Sequence, residues 1–276
     1  MTQVTSNLAG KIILVTGATD GIGKETALEL AQQGATVLVH ARTAERGQTT
    51  IQELQQRISG ANLELVTADL GSLAQVRQLA QTINDQYERL DVLLNNAGIF
   101  TRYRQESADG YELTFAVNHL AYFLLTNLLL DLLKRSSPAR IVNVASNVHR
   151  DNAMHFDDVQ LMHDWNGEQA YGQSKVANIL FTYALARRLA GTGVTANALH
   201  PGVIDTKLLR ESWGSSNIGV VQGAATSVYL ASDPHVSTVT GKYFDNQCAV
   251  NSAPHTYDYD AQERLWTLCA ELTGLQ

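Results

Sequence analysis

The strongest constraint in this sequence is an alternation that runs most of its length. Short apolar runs rich in Val, Ile and Leu recur between longer stretches with helical periodicity. Apolar runs without polar alternation suit strands buried on both faces, and strands separated by helices lie parallel in a sheet that the helices cover. The expected strands are Lys11 to Thr16, Ala35 to His40, Leu63 to Thr67, Asp91 to Asn95, Arg140 to Ala145, Thr195 to Leu199 and Lys242 to Asp245. Helical periodicity falls near residues 22–33, 44–58, 72–88, 110–134, 170–190 and 220–231, the first stopping at Gly34. The prediction is an α/β fold: a doubly wound, seven-stranded parallel sheet with helices on both faces. The chain has 276 residues and no repeat, low-complexity tract or long linker, so residues 1–276 read as one domain.

Composition narrows the function classes. Apolar residues make up 45% and charged residues 17%, which excludes a chain kept disordered by charge. A net charge of -7 gives no overall attraction for nucleic-acid phosphates or anionic lipid. Cys248 and Cys269 form no CxxC or zinc-spaced pattern and read as reduced thiols. The opening MTQVTSNLAG lacks the basic and apolar regions of an export signal, so the expected location is cytoplasmic. Ala121 to Leu133 is interrupted by Thr126, Asn127 and Asp131, and reads as a buried helix, not an integral membrane segment.

Two long irregular stretches, 147–168 and 203–219, follow expected strand ends, where open parallel sheets bind ligands. The turn after the first strand reads Gly17-Ala18-Thr19-Asp20-Gly21-Ile22-Gly23, a G-x-x-x-G-x-G run between strand and helix. Glycines there let the main chain approach a pyrophosphate seated on the helix N-terminus, the dinucleotide cradle of a Rossmann fold. They also serve strand–helix turns for conformational reasons alone. After the second strand no carboxylate stands ready for ribose hydroxyls, and Arg42 suits a 2′-phosphate, so NADP(H) is preferred with NAD(H) as the alternative. Arg42 as a plain solvated charge is the competing reading, and Asp20 would repel a nearby phosphate. Asp69 and Leu70 are placed at the adenine, where Asp69 could instead cap the following helix.

Tyr171 and Lys175 stand four residues apart on an expected helix and so share a face. An adjacent cation and the charge of an oxidised nicotinamide both favour phenolate and lower the phenol's pKa, which makes the pair a usable proton relay. Y-x-x-x-K alone is common on ordinary helices. Together with TGATDGIG at 16–23, Asn95-Asn96-Ala97-Gly98, Asn118, Ser146 and Pro201-Gly202, in that order, the sequence resembles the short-chain dehydrogenase/reductase (SDR) family over nearly its whole length. FAVNHLAYFLLTNLLLDLL (115–133), YGQSKVANILFT (171–182) and ERLWTLCAELTGL (263–275) look most like its retinol dehydrogenase-type branch.

The resemblance implies an oxidoreductase that moves a hydride between nicotinamide and an apolar aldehyde, ketone or alcohol. It makes Tyr171 the general acid or base, and Lys175 the holder of the nicotinamide ribose. Ser146 would donate to the substrate oxygen, and Asn118 would hold a water linked to Lys175. Gly17, Thr19, Asp20, Gly21, Ile22, Gly23, Asn95, Ala97, Gly98, Pro201, Gly202, Val203 and Thr206 join Arg42, Asp69, Leu70, Asn118, Tyr171 and Lys175 as cofactor contacts. Residues 147–168 would form a substrate wall. Segments 110–134 and 170–190 form the family's usual dimer face, which leaves homodimer and monomer both open. An NAD-dependent dehydrogenase of the same fold, and a dinucleotide-binding sensor without turnover, are the alternatives.

His149, His155 and His163 stand near Asp151, Asp157, Asp158 and Asp164 but lack a ligand pattern, so they read as solvated loop histidines and no metal is expected. Met154, Phe156, Leu161, Met162, Trp165, Leu208, Leu209 and Trp213 read equally well as pocket lining or ordinary packing.

Overall fold

The computed structural model describes residues 7–212 and 214–275. Its strands are β1 (Ile12–Val15), β2 (Thr36–Ala41), β3 (Asn62–Thr67), β4 (Val92–Asn95), β5 (Ala139–Val144), β6 (Val194–His200), β7 (Tyr243–Asp245) and β8 (Cys248–Val250). They form one sheet in the order β3-β2-β1-β4-β5-β6-β7-β8. The first seven pair in parallel, at the expected places. The chain runs outward from β1 to β3 and returns to β4, so the order reverses between β1 and β4, and the crevice beyond their carboxyl ends is where such sheets take ligands.

The expectation of seven parallel strands needs one correction. An eighth, β8, turns back antiparallel on β7. Asn246 (φ 51) and Gln247 (φ 61) both take left-handed conformations, the geometry of a two-residue hairpin turn.

The helices are α1 (Gly21–Gln32), α2 (Ala44–Arg57), α3 (Leu73–Gln86), α4 (Leu113–Phe115), α5 (Ala121–Arg135), α6 (Gly167–Arg188), α7 (Lys207–Ser212), α8 (Val220–Ser232) and α9 (Tyr259–Thr273). Alternation along β1 divides them. Ile13 and Val15 pack with Leu28 of α1, Leu54 of α2 and Leu230 of α8, whereas Leu14 packs with Leu79 of α3, Leu129 of α5 and Leu180 of α6. The helix expected at 110–134 begins later and is interrupted: α4 leads into a π-turn, Ala116–Leu120, and then α5. The stretch Leu113–Arg135 is long and apolar enough to cross a membrane, yet most of it is buried inside the protein.

α6 is buried without interruption from Ala170 to Ala186. Part of that cover comes from α9, for which the sequence periodicity assigned no element. Asp258 caps α9 by accepting from the N–H groups of Asp260 (2.9 Å) and Ala261 (3.2 Å), and left-handed Gly274 (φ 63) closes it. Its Trp266 ring meets Phe123 at 5.1 Å and Phe181 at 5.7 Å. The face formed by α5 and α6, expected to meet another subunit, is thus partly covered from within the chain. Leu265, on the buried face of α9, is 1% exposed. Leu265→Ala should cost about 2–5 kcal/mol, read as a lower urea midpoint at unchanged slope.

Candidate active site

The turn after β1 is fixed by close approach. Gly17 has φ +64, and a Cβ there would lie 2.7 Å from the Cα of Ala97. The hydroxyl of Thr16 accepts from the main-chain N–H groups of Asn96 (2.8 Å) and Ala97 (3.1 Å), while the Asn96 amide donates to the Thr16 carbonyl at 2.8 Å. A Cβ on Gly23 would stand 2.3 Å from Asn96 Nδ2 and 2.4 Å from the Gly17 oxygen. The glycine turn and the Asn95–Gly98 turn therefore form one packed unit. Asp20 caps α1, accepting from Gly21 N–H at 2.7 Å, so its carboxylate is engaged at the helix end.

His40 is part of this unit, and the sequence pattern took it only as a strand end. The Gly17 N–H donates to His40 Nδ1 (3.1 Å), so Nε2 carries the proton and donates to the Ala68 carbonyl (3.1 Å). Burial pulls its pKa down to about 4. One neutral imidazole thus ties the glycine turn to the end of β3.

The other expected cofactor residues lie along the same edge with different roles. Arg42 is exposed just beyond β2 and makes no ion pair among the described residues. Asp69 is not the helix cap. Ser72 caps α3, and Asp69 Oδ1 accepts from Gly71 N–H at 2.9 Å, beside buried Leu70. Asn95 is fully buried and its amide donates to Thr126 (3.0 Å) and Asn143 (2.8 Å), which braces the sheet. After β6, Pro201 and Gly202 (φ +97) lead past exposed Val203 to Thr206, whose hydroxyl accepts from Leu209 N–H at 3.2 Å. A Cβ on Gly21 would meet Thr206 Cγ2 at 3.2 Å. The segment after β6 thus reaches the glycine turn, where Ile22 and Ile204 pack beside Gly223 of α8. Thr19 offers its carbonyl to Thr50 at 3.5 Å.

Ser146, Tyr171 and Lys175 come together beside this crevice, each less than a tenth exposed. The Ser146 hydroxyl is hydrogen-bonded to the Tyr171 phenol. Lys175 Nζ sits 5.2 Å from the centre of the Tyr171 ring and donates to the Val144 carbonyl at 3.1 Å. Burial raises the phenol pKa above its ordinary value, with the Ser146 hydrogen bond opposing, and lowers that of the Lys175 ammonium to about 7. In the chain by itself, desolvation is the larger influence on the phenol. Asn118 lies on the π-turn. Its Oδ1 accepts from Ile99 N–H (2.8 Å), and its Nδ2 donates to Ile99 O (3.0 Å) and the Ser174 hydroxyl (3.1 Å). A Cβ on Gly98 would lie 3.6 Å from both Asn118 Oδ1 and Lys175 Nζ.

An open cleft of ≈ 370 Å³ is lined by Phe100, Arg102, Trp165, Glu168 and Ser212 among others; Ser146, Tyr171 and Lys175 are not part of its lining. The Phe100 and Tyr171 rings lie 6.2 Å apart. The expected wall at 147–168 starts with a 3₁₀ turn, Asn147–Arg150, and ends at Asn166, which caps α6. Gln173 and Glu112, missed as supports, hold it. Gln173 bridges the His155 N–H (2.9 Å) and the Val159 carbonyl (2.9 Å), and Glu112 accepts from Trp165 Nε1 at 3.2 Å. Met154 and Phe156 pack on the core, Leu161 is buried, Met162 is exposed, Leu208 and Leu209 are half-buried, and Trp213 lies outside the described residues. His155 and His163 are exposed, as expected. His149 is not: fully buried, it donates from Nδ1 to the Ser146 carbonyl (2.6 Å) and accepts Ala253 N–H on Nε2 (3.0 Å). Among the described residues no three His, Cys, Asp or Glu side chains converge as a metal site.

With this geometry in place, known proteins supply the class. Residues 11–216 match the family model for short chain dehydrogenases. Human retinol dehydrogenase 13 is 40% identical over 287 residues, covering 98% of this chain and 87% of that protein. A solved structure of an uncharacterised protein from Mycobacterium paratuberculosis aligns with TM-score 0.82 at 31% identity, covering 98% of this chain and 96% of that one. The Pseudomonas aeruginosa RhlG/NADP complex aligns with TM-score 0.71 at 30% identity, covering 86% and 94%. The chain belongs to the short-chain dehydrogenase family of nicotinamide-dinucleotide oxidoreductases. Within that family it lies in the retinol dehydrogenase branch.

Buried histidines give this architecture a pH signature. His40, His119 and His149 each have a pKa lowered by burial from 6.5 to about 4. Below pH 6.5 the unfolded chain binds protons that the native chain refuses, so stability is full above that value and falls as pH drops toward about 4. Calorimetry across this window should show a falling Tm with proton uptake on unfolding, and a flat Tm would contradict the assignment.

Proposed function

We propose that the protein is an NADP(H)-dependent oxidoreductase that reduces apolar aldehydes or ketones and, in reverse, oxidises the alcohols, with Tyr171 as the acid–base group. The observation that carries this reading is the dry cluster of Ser146, Tyr171 and Lys175 on the carboxyl-end side of the sheet, with the Phe100 ring 6.2 Å from that of Tyr171. The residues of the crevice fit a dinucleotide: glycines without side chains at the closest approach, the N-terminus of α1 opening onto the same edge, and an exposed Arg42 in place of a carboxylate. The RhlG complex, which carries NADP, supports the cofactor, and the relatives named for retinol support an apolar substrate.

The bound cofactor would supply or accept the hydride. The protein's part is placement and proton management. The Tyr171 phenol, protonated at neutral pH, would give its proton to a carbonyl oxygen as negative charge develops there. Ser146, already bonded to the phenol oxygen, would donate to the same substrate atom. Lys175 would hold the nicotinamide ribose hydroxyls. The side chain of Asn118 is spent on Ile99 and Ser174, so the water role implied for it falls to its main chain.

Tyr171→Phe should abolish NADPH-dependent aldehyde reduction while leaving NADPH binding, followed by nicotinamide fluorescence, within about two-fold. Retained turnover would remove Tyr171 from the mechanism. Arg42→Asp should weaken NADPH at least about ten-fold more than NADH, as expected from loss of one charge-assisted contact to a phosphate. Equal losses would take the phosphate role away from Arg42.

A further inference from the structure

We propose that Asn178, His119 and Cys269 form a positioning relay for Lys175, through which the C-terminal helix α9 sets the placement of the active-site ammonium. The inference rests on the reading of Tyr171 and Lys175 given above and extends it to three residues that touch no substrate.

The relay begins at the Val144 carbonyl, which accepts from both Lys175 Nζ (3.1 Å) and Asn178 Nδ2 (3.2 Å). A carbonyl oxygen has two lone pairs. Asn178 fills one of them, which stops the flexible lysine from settling fully onto the carbonyl and leaves its remaining N–H groups for the cleft. With Nδ2 so committed, Asn178 presents Oδ1 to His119, whose Nδ1 donates to it at 2.9 Å. That bond fixes the tautomer: Nε2 of His119 is a bare acceptor, and Cys269 Sγ stands 3.3 Å from it as the thiol donor. Burial keeps the Cys269 thiol protonated and the His119 ring neutral, as this donor order requires. Asn178, His119 and Cys269 are all 0% exposed and Lys175 is 2% exposed, so the chain of bonds runs from α9 to the active site without a route for water.

The π-turn explains how the relay is assembled. On it, neighbouring residues reach two points on one face of α6: Asn118 bonds Ser174 at 3.1 Å, and His119 bonds Asn178 four residues further along. Lys175 lies between those two anchors. A fully satisfied buried network of this kind holds its members in one arrangement, and breaking any link leaves a buried polar group without its partner.

The test uses the full chain, NADPH and an apolar aldehyde that the wild type reduces. Asn178→Leu and His119→Phe remove the relay at two points while keeping volume. Each should lower kcat about ten-fold through misplacement of Lys175, with KM for the aldehyde within about two-fold, and the double variant should be no worse than either single. His119→Asn keeps an amide donor at the Nδ1 position and should recover most of kcat, whereas His119→Gln, which places its amide at the Nε2 position, should not. Cys269→Ser, which keeps a donor, should exceed Cys269→Ala. Unchanged kcat in well-folded Asn178→Leu and His119→Phe would overturn the relay. So would losses that simply add and follow Tm, or equal activity of His119→Asn and His119→Gln. If the apolar variants do not fold, the Asn and Gln pair decides. The 15N resonance of Lys175 Nζ, assigned with Lys175→Arg, gives a readout independent of turnover. It should shift in Asn178→Leu, and an unmoved resonance would overturn the relay whether or not Tyr171→Phe is inactive.

Discussion

The architecture of the site depends on the contact between two turns, Gly17 against Ala97. At that distance no side chain fits, so the backbone after β1 and the backbone after β4 are pressed together at the point where strand order reverses. Thr16, Asn96 and His40 supply the hydrogen bonds that hold this contact from three strands. The crevice exists because the chain diverges on either side of it: toward Arg42 and Asp69 in one direction, toward Ser146 and Thr206 in the other. A ligand laid along the edge therefore meets one rigid turn at its middle and different side chains at its two ends.

Dryness governs the chemistry on the Ser146 side. Tyr171 and Lys175 share one desolvated pocket, and both are pushed toward their neutral forms. Behind them lies a layer of buried hydrogen bonds: Val144 accepts from Lys175 and Asn178, His149 bonds the Ser146 carbonyl, and Ser174 joins Asn118 to the Tyr171 carbonyl. Much of the polar machinery of this enzyme family member thus lies one layer beneath the surface that a substrate would touch.

How much of this is legible in the sequence follows from what each feature needs. The inner parallel strands announce themselves because burial on both faces demands continuous apolar runs, as in KIILVT and ATVLVH; β3, at the sheet edge and half-exposed, is legible from its place in the alternation. β8 does not, because a three-residue strand after Asn246-Gln247 has neither length nor the glycine usual in such turns. Ser146, Tyr171 and Lys175 are legible through spacing and company. His40, Gln173 and Asn178 are not, since their roles arise from partners 28, 14 and 34 residues away that no local period connects. His149 carried the wrong local signal, a polar residue among loop aspartates, because its burial comes from Ala253 and Tyr243, far along the chain. Asn95 and Asp69 have a second duty that residue type and position do not announce: Asn95 bonds Asn143 within the sheet, and Asp69 holds the turn at Gly71.

The burial of α6 from end to end has a consequence for how such a protein can change over generations. A helix packed on the sheet, the π-turn and α9 at once offers almost no position where a substitution goes unfelt. The stretch 151–166 and the segment after β6 carry exposed side chains such as Met162, His163 and Val203, where an exchange disturbs little packing. Tolerance to change is thereby divided between parts of the molecule: these loops can vary one side chain at a time while the helix that carries Tyr171 and Lys175 stays the same.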